Sequence, residues 1–222
     1  MLVANYMKSI LIVILSITVV TTFGQSSTSR KQKVDSLTLA KQQKVVTFLD
    51  ISLHDNIADI GTGSGYSLIP IANEYPTLSF TVEDIDSNYC NKALLINRIR
   101  KSGNKTNIEN FSIHIGTEKS TNLPTASFNK ILVFDVIHEM TYRSEMLSDL
   151  KRILQVNGSV FIEEILVHKT VKKDKVCNYP FLTEDAFKKL LVDNKYQIKR
   201  EMVTFDTGNN KYIKIFECVP LD

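Results

Sequence analysis

The sequence has 222 residues, of which 43% are hydrophobic and 23% charged, as is typical of a globular protein. This length is enough for one α/β domain with a hydrophobic core and short for two such domains. The formal net charge is +3, and no stripe of lysine and arginine with interleaved aromatic residues occurs. The composition therefore argues against a protein that binds nucleic acid.

The first 24 residues have the pattern of a signal peptide. Lys8 precedes an uncharged apolar stretch over 9–20, and small residues before Gln25 suit cleavage there. The stretch is short for a membrane-spanning helix, which needs about 20 residues. An uncleaved anchor is the alternative, and membrane attachment is expected only through this segment. We predict an exported protein, periplasmic or secreted, with a signal peptide at 1–24, a flexible leader at 25–35 and a folded domain at 36–222.

From residue 36 onward the predicted elements alternate between helices and strands. The chain ends with two strands joined by Thr-Gly-Asn-Asn, a turn sequence typical of a hairpin. This pattern predicts an α/β fold of the Rossmann-like type, with a mostly parallel sheet between two helical layers and an antiparallel C-terminal hairpin. The predicted helices cover 36–49, 66–74, 87–101, 142–154 and 183–191, and the strands cover 56–60, 78–83, 111–115, 129–136, 159–166, 196–205 and 211–219.

Several residues are predicted to begin or end these helices. Asp35 or Ser36 is expected to cap the first helix, Asp86 the helix over 87–101 and Thr183 the last one. Asn157-Gly158 is expected to end the fourth helix before the next strand begins.

The three cysteines are Cys90, Cys177 and Cys218. An odd number without a Cys-x-x-Cys pair argues against a disulfide scaffold and against a zinc site. We expect three free thiols, mostly buried, with one disulfide bridge as the alternative, and predict no metal site.

A glycine-rich turn follows the first strand, with Gly61, Gly63 and Gly65 in the sequence DIGTGSG. Glycine permits positive φ and lets a cofactor approach the backbone. The dinucleotide fingerprint requires a glycine at 66, where this chain has Tyr66, and the offset disfavours NAD. Asp59, at the end of the strand, is placed either to receive a cofactor's ammonium group or to orient the loop.

An acidic segment, Glu83-Asp84-Ile85-Asp86, ends the next strand about 20 residues after the loop. A carboxylate at this point can accept hydrogen bonds from both hydroxyls of a ribose. By position Asp84 is favoured for this role, and Glu83 is second.

In this order of motifs the sequence resembles the class I S-adenosylmethionine-dependent methyltransferases, from about Asp50 to Val219. Ala58–Tyr66 looks like the family's first motif, Val82–Asp86 like its ribose-binding segment, and Gly116-Thr117-Glu118 like the loop that lines the adenine ring. The resemblance implies a seven-stranded sheet, S-adenosyl-L-methionine as the cofactor and methyl transfer as the reaction. The cofactor-binding residues predicted from the motifs are Asp59, Gly61, Thr62, Gly63, Gly65, Tyr66, Asp84, Ile85, Thr117 and Glu118.

The chain departs from the family's pattern at three points. Thr117 stands where an acid often follows the glycine of the adenine loop, and Val156-Asn157-Gly158 replaces the usual Pro-Gly-Gly. The third departure is cellular, since the cofactor is made in the cytosol and an exported enzyme needs a supply.

The end of the fourth strand is where the resemblance puts the reacting groups. His138 is the candidate general base because its unperturbed pKa lies near neutrality, and a packing or capping histidine is the alternative. Asp135 is expected to contact the cofactor or the acceptor, and Glu139 to be an acid at a helix start. Of Glu163 and Glu164 in the next strand, one is expected to face solvent, and neither is assigned a role.

The acceptor is narrowed by motifs that the sequence lacks. No Asn/Asp-Pro-Pro-Tyr follows the fourth strand, and no Pro-Cys nucleophile occurs, which disfavours methylation of nucleic-acid bases. A small-molecule or lipid-like acceptor is the remaining expectation. The alternatives are a catalytically inactive cofactor-binding module and, less favoured, an NAD-linked oxidoreductase.

Overall fold

The computed structural model describes residues 37–169, 178–208 and 210–221. The chain divides into two compact units, residues 1–43 and 44–222. The described part of the first unit, 37–43, is helical and belongs to helix α1, which covers 37–49. The predicted signal peptide, the leader, the helix caps at Asp35 and Ser36, and Cys177 lie outside the described residues. Among the described helices, none combines the length and apolar character that crossing a membrane requires.

The second unit is a sheet with helices on both faces. The strands run in the order β3-β2-β1-β4-β5-β8-β7, and the short β6 pairs with β5. Strand β8 is antiparallel to both β5 and β7, whereas the other pairs are parallel. The strands are β1 (Ile57–Ile60), β2 (Phe80–Asp84), β3 (Phe111–Ile115), β4 (Phe128–Phe134), β5 (Leu154–Val167), β6 (Leu182–Thr183), β7 (Tyr196–Asp206) and β8 (Lys211–Pro220), and the helices are α2 (Leu68–Glu74), α3 (Lys92–Lys101), α4 (Arg143–Ile153) and α5 (Glu184–Asp193).

The predicted fold class is confirmed, including the antiparallel hairpin at the C-terminus. The two-residue β6 adds an eighth strand to the seven that the resemblance implies. Strand β4 is central and nearly all apolar because helices cover both of its faces.

Two clusters of buried side chains hold the helices to the sheet, one on each face. The first packs α4 and α5 against the sheet, and the second packs α2, α3 and the end of α1 against the opposite face. Side chains alternate between the faces along each strand, so that Ile60 belongs to the first cluster and Ile57 to the second. The predicted three-layer arrangement follows from this alternation.

Two predicted boundaries are wrong, each for a local reason. Helix α3 begins at Lys92 rather than at 87, because Asn91 caps it by accepting a hydrogen bond from the Leu94 amide. Asp86 instead accepts from the amide of Asn88 in the preceding turn.

Strand β5 begins at Leu154, directly after α4 ends at Ile153. Asn157 and Gly158 therefore lie within the strand and do not end the helix. Asn157 has φ +66, and the pairing of β4 with β5 shifts register between Phe128 and Lys130, so the segment bends instead of stopping. The cap at Thr183 is confirmed, since its side chain accepts from the Ala186 amide.

The parallel pairs bring the carboxyl ends of β1, β2, β4 and β5 to one edge of the sheet. The glycine loop, the acidic segment and the residues after β4 all follow these ends. Ligands of open α/β sheets bind in the crevice outside the carboxyl ends of the strands.

Candidate active site

A cavity of about 450 Å³ lies at this edge of the sheet. One end is formed by the glycine loop and the acidic segment, and the other by the residues that follow β4. Of the predicted site residues, Gly61, Gly63, Asp84, Ile85, Glu118 and Asp135 line it; the remaining wall is formed by Ile60, Glu83, Tyr89, Val136, Glu139, Met140, Thr141, Met146 and Tyr179.

The glycine loop needs its glycines for two different reasons. Gly61, Gly63 and Gly65 all have positive φ, of +70, +51 and +75. A Cβ on Gly61 would lie 2.8 Å from a methyl group of Val136, and one on Gly65 would lie 2.9 Å from Leu95 in the core. At Gly63 such an atom would meet nothing within 4 Å, so the space above it is open. The loop is thus tightly packed on its inner side and accessible where it faces the cavity.

Asp84 links the acidic segment to the glycine loop. One carboxylate oxygen accepts a 2.8 Å hydrogen bond from the Gly63 amide, and the other accepts from the Asp86 amide at 3.0 Å. Both bonds fix the carboxylate on the wall of the cavity. The geometry fits the role predicted for Asp84, in which it accepts hydrogen bonds from a ribose.

Asp59 lies beneath the loop rather than on the cavity wall. Its side chain is buried and accepts a 2.5 Å hydrogen bond from the Thr62 hydroxyl, and burial raises the pKa of its carboxyl to about 7. Of the two roles considered for Asp59, this arrangement supports the orientation of the loop. Thr62 acts in the same contact and is also buried.

Glu83 occupies a buried position at the same edge. Burial raises the pKa of its carboxyl to about 8, and the neighbouring Asp84 adds to the effect, while a hydrogen bond from the Gly61 backbone opposes it. A Cβ on Gly116 would lie 1.9 Å from Glu83 Oε1, so Gly116 is a glycine because the Glu83 side chain fills the space. Glu83 therefore supports the loop and the cavity wall from below.

Three predicted cofactor residues have other contacts in the structure. Tyr66 is exposed, and its ring lies under the Arg98 guanidinium, 4.8 Å away, whereas Tyr89 and Tyr179 are aromatic residues of the cavity wall. Gly65 begins the turn into α2 and packs against the core. Thr117 closes a turn with Ser120, whose carbonyl accepts from the Thr117 amide. That turn leaves Glu118 to face the cavity.

His138 is buried behind the other end of the cavity and is held by Glu164. The ring Nδ1 lies 2.6 Å from Glu164 Oε1, and the His138 amide donates to Oε2 of the same carboxylate at 3.2 Å. Phe181 packs on the ring, with centroids 4.9 Å apart. His138 does not belong to the cavity wall, and its Nε2 lies 3.6 Å from Oε1 of Glu139, which does.

Asp135 is on the cavity wall in an uncommon backbone conformation. Its φ is +57, a value that few residues other than glycine, asparagine and aspartate adopt. Its amide donates to the Glu163 carbonyl on β5 at 2.7 Å, which fixes the turn after β4. Arg143 reaches back from α4 and donates to the carbonyls of Ile137 and His138, both at 2.8 Å.

Two expectations about acids near this end are wrong. Glu163 and Glu164 are both buried, because β5 lies between β4 and β8 and has helices on both faces. Glu163 accepts a hydrogen bond from the Thr204 hydroxyl, and Glu164 contacts His138 on the opposite side of the strand. Glu139 does not start a helix, since α4 begins at Arg143.

Comparison with known proteins agrees with this fold. Residues 58–160 match the family model described as a methyltransferase domain. No curated protein sequence matches the chain significantly.

Three solved structures represent the similarity. A SAM-dependent methyltransferase from Aquifex aeolicus has 17% identity and a TM-score of 0.62, with 81% of this chain and 89% of that chain covered. The glycopeptide N-methyltransferase MtfA, complexed with sinefungin, has 10% identity and a TM-score of 0.64, with 82% and 93% covered. Geranyl diphosphate C-methyltransferase from Streptomyces coelicolor A3(2), in complex with Mg²⁺, geranyl diphosphate and S-adenosyl-L-homocysteine, has 10% identity and a TM-score of 0.61, with 81% and 79% covered.

The matched domain spans β1 to the middle of β5 and contains the glycine loop, Asp84 and the turn after β4. The sequence motifs, the strand order and the family match agree with one another. Residues 58–160 are thus a methyltransferase domain, set in a fold that this chain shares with SAM-dependent methyltransferases.

Proposed function

We propose that this protein transfers the methyl group of S-adenosyl-L-methionine to a small-molecule or lipid-like acceptor. The observation that carries the proposal is the continuity of the cavity. It runs from Gly63 and Asp84, where the cofactor's ribose would bind, to Asp135 and Tyr179 at the other end. A cavity of about 450 Å³ is in the range of sites that enclose small ligands.

The acceptor end combines apolar walls with carboxylates. Met140, Met146 and Tyr179 offer apolar surface, and Asp135 and Glu139 offer acidic groups that are about half exposed. Methyl transfer requires the nucleophile, the methyl carbon and the sulfur to lie in line. Apolar walls suit the placement of a small organic molecule, and the carboxylates can orient a hydroxyl or amine and accept its proton.

His138 takes a different part from the one that its residue type predicts. Because it lies behind the wall, it would act on the acceptor through Asp135 and Glu139 rather than by contact. Its Nδ1 is 3.9 Å from Asp135 Oδ1, and its Nε2 is 3.6 Å from Glu139 Oε1. We therefore assign His138 as a positioning residue and Asp135 as the group that touches the acceptor.

The test uses the full-length protein and two separate measurements. Calorimetry is expected to show S-adenosyl-L-methionine binding, and mass spectrometry is expected to show methyl transfer to a member of a panel of small alcohols, carboxylic acids, amines and quinols. Asp135→Asn should lower kcat by about tenfold or more while Kd for the cofactor stays within about threefold. Cofactor binding without turnover on any acceptor would instead support an inactive binding module, and no binding would overturn the proposal.

Export is a second part of the proposal and rests on the residues before 25. We propose that cleavage before Gln25 releases the protein outside the cytosol. N-terminal sequencing of the protein recovered from the extracytoplasmic fraction should begin at Gln25. Recovery of the uncut chain in the cytosol would contradict it.

A further inference from the structure

Three side chains at the ends of β4 and β5 bring metal-binding atoms together beside the cavity. Asp135, His138 and Glu164 each place one such atom within 4.8 Å of the other two. His138 Nδ1 lies 2.6 Å from Glu164 Oε1 and 3.9 Å from Asp135 Oδ1. In an octahedral site with bonds of about 2.1 Å, adjacent ligand atoms are about 3 Å apart and opposite ones about 4.2 Å. The His138–Glu164 pair, at 2.6 Å, would have to open by about 0.4 Å to reach the adjacent separation, and the His138–Asp135 pair, at 3.9 Å, lies between the adjacent and the opposite values.

The cluster differs from acidic groups that merely share a surface. His138 is 2% exposed and Glu164 is 0% exposed, and the imidazole stands between the buried carboxylate and two carboxylates of the cavity wall, Asp135 and Glu139. A buried carboxylate is costly unless it is paired or coordinates a metal. A divalent cation placed among these carboxylates would offset two negative charges.

We propose that Asp135, His138 and Glu164 bind a divalent transition-metal ion at the wall of the cavity. One imidazole and two carboxylates form a donor set that suits ions such as Mn²⁺ and Zn²⁺, since the imidazole favours transition metals over Mg²⁺ and Ca²⁺. Imidazole and carboxylate ligands bind a metal ion in their deprotonated forms, so binding of the ion competes with protons and weakens as the pH falls.

An ion held in part by Asp135 lies where the acceptor would enter. A bound cation polarises an oxygen ligand and lowers the pKa of a coordinated hydroxyl, so the acceptor class would be an oxygen nucleophile. The inferred acceptor class rests on the proposed methyl transfer. The metal site itself does not, because ion binding can be measured without any acceptor.

The test titrates the full-length protein with Mn²⁺ after treatment with a chelator, and it follows the free ion by electron paramagnetic resonance. We expect about one ion per chain, and Glu164→Gln and Asp135→Asn should each weaken binding by about tenfold or more. Glu163→Gln is the matched control, because Glu163 is the adjacent residue, is also buried and bonds to Thr204 on the other side of the strand. Its affinity for Mn²⁺ should equal that of the wild type.

Asp135→Asn keeps the test decisive if Glu164→Gln fails to fold. Asp135 is exposed, and asparagine tolerates its positive φ. Absence of Mn²⁺ binding to the wild type, or wild-type affinity in Asp135→Asn, would overturn the site. Calorimetry with S-adenosyl-L-methionine on the same samples separates the two proposals: a protein that binds the cofactor without Mn²⁺ refutes only the metal site, and the reverse refutes only the proposed function.

Discussion

The two ends of the cavity are built in different ways. At the cofactor end, two contacts join residues close in sequence, Asp59 with Thr62 and Asp84 with the Asp86 amide, and a third joins Asp84 to Gly63, 21 residues away. At the acceptor end, the central contact joins His138, which follows β4, to Glu164 on β5, 26 residues away. Local contacts therefore contribute to the first end, whereas the central contact of the second exists only once the sheet has formed.

The difference also concerns where charge is held. The cofactor end contains two carboxyls whose pKa values burial raises, Asp59 to about 7 and Glu83 to about 8. The acceptor end places carboxylates around an imidazole. At the first end burial favours the protonated form of two carboxyls, whereas at the second three carboxyl side chains lie around one imidazole.

The largest effect should come from pH and Glu83. An acid whose folded pKa is raised contributes stability that is fully present below its unfolded pKa, near 4.5, and is lost as the pH rises through about 8. The free energy of unfolding should therefore fall over this window, by on the order of 5 kcal/mol from Glu83. Urea denaturation at a series of pH values should show a flatter profile for Glu83→Gln. Glu118→Gln, an exposed acid of the same wall, is the control, and an equal slope in wild type and Glu83→Gln would contradict the assignment.

The second effect separates the inner from the outer side of the glycine loop. In Gly65→Ala the new Cβ would lie 2.9 Å from Leu95 and 3.0 Å from Ile69, and alanine would also have to adopt an unfavourable positive φ. The substitution should therefore destabilise the fold by about 2–3 kcal/mol. Alanine at Gly63 meets no neighbour and should cost about 1 kcal/mol. Thermal unfolding of the two variants side by side measures the difference. Equal melting temperatures would show that packing under the loop is looser than these contacts imply.

The third effect concerns the cofactor directly. Asp84→Ala removes a carboxylate from the wall and a bond to the Gly63 amide, and it should weaken S-adenosyl-L-methionine binding by about ten- to a hundredfold. Asp86→Ala, two residues further on, is the control and should change the affinity by less than about threefold. Calorimetry gives both values. An unchanged affinity in Asp84→Ala would contradict the ribose-binding role of this residue.

The smallest effect distinguishes two tyrosines. Tyr89 lines the cavity, whereas Tyr66 lies under Arg98, so Tyr89→Ala should weaken cofactor binding by about three- to tenfold. Tyr66→Ala should weaken it by no more than about twofold. A larger effect of Tyr66→Ala would assign the cofactor contact to Tyr66 instead of Tyr89.

The sequence allowed the fold class and most of the cofactor end to be predicted. Glycine spacing, the strand-end acid and the alternation of elements are patterns along the chain, and they can be recognised without knowing which elements pack together. These patterns did not distinguish residues that face the cavity, such as Gly63, from residues beneath it, such as Asp59. That distinction depends on which side of the turn each residue faces.

The acceptor end was only partly predictable, for the same physical reason. Asp135 and His138 follow β4 and were found by position. Glu164 carried no signal, since two adjacent glutamates in a strand must face opposite ways and the sequence does not say what covers each face. Here helices cover both faces, β8 pairs with the edge of β5, and His138 contacts the second glutamate.

The fit between Glu83 and Gly116 has a consequence for evolution. The two residues lie on adjacent strands or their ends and share one volume, since any side chain at 116 would overlap the carboxyl at 83. Neither position can change alone. A larger residue at 116 fits only after the side chain at 83 has become shorter, and a shorter side chain at 83 leaves a cavity that selection would favour filling. Among descendants of a common ancestor, these two positions should therefore change as a pair, which would make them a marker of how this branch separated from its relatives.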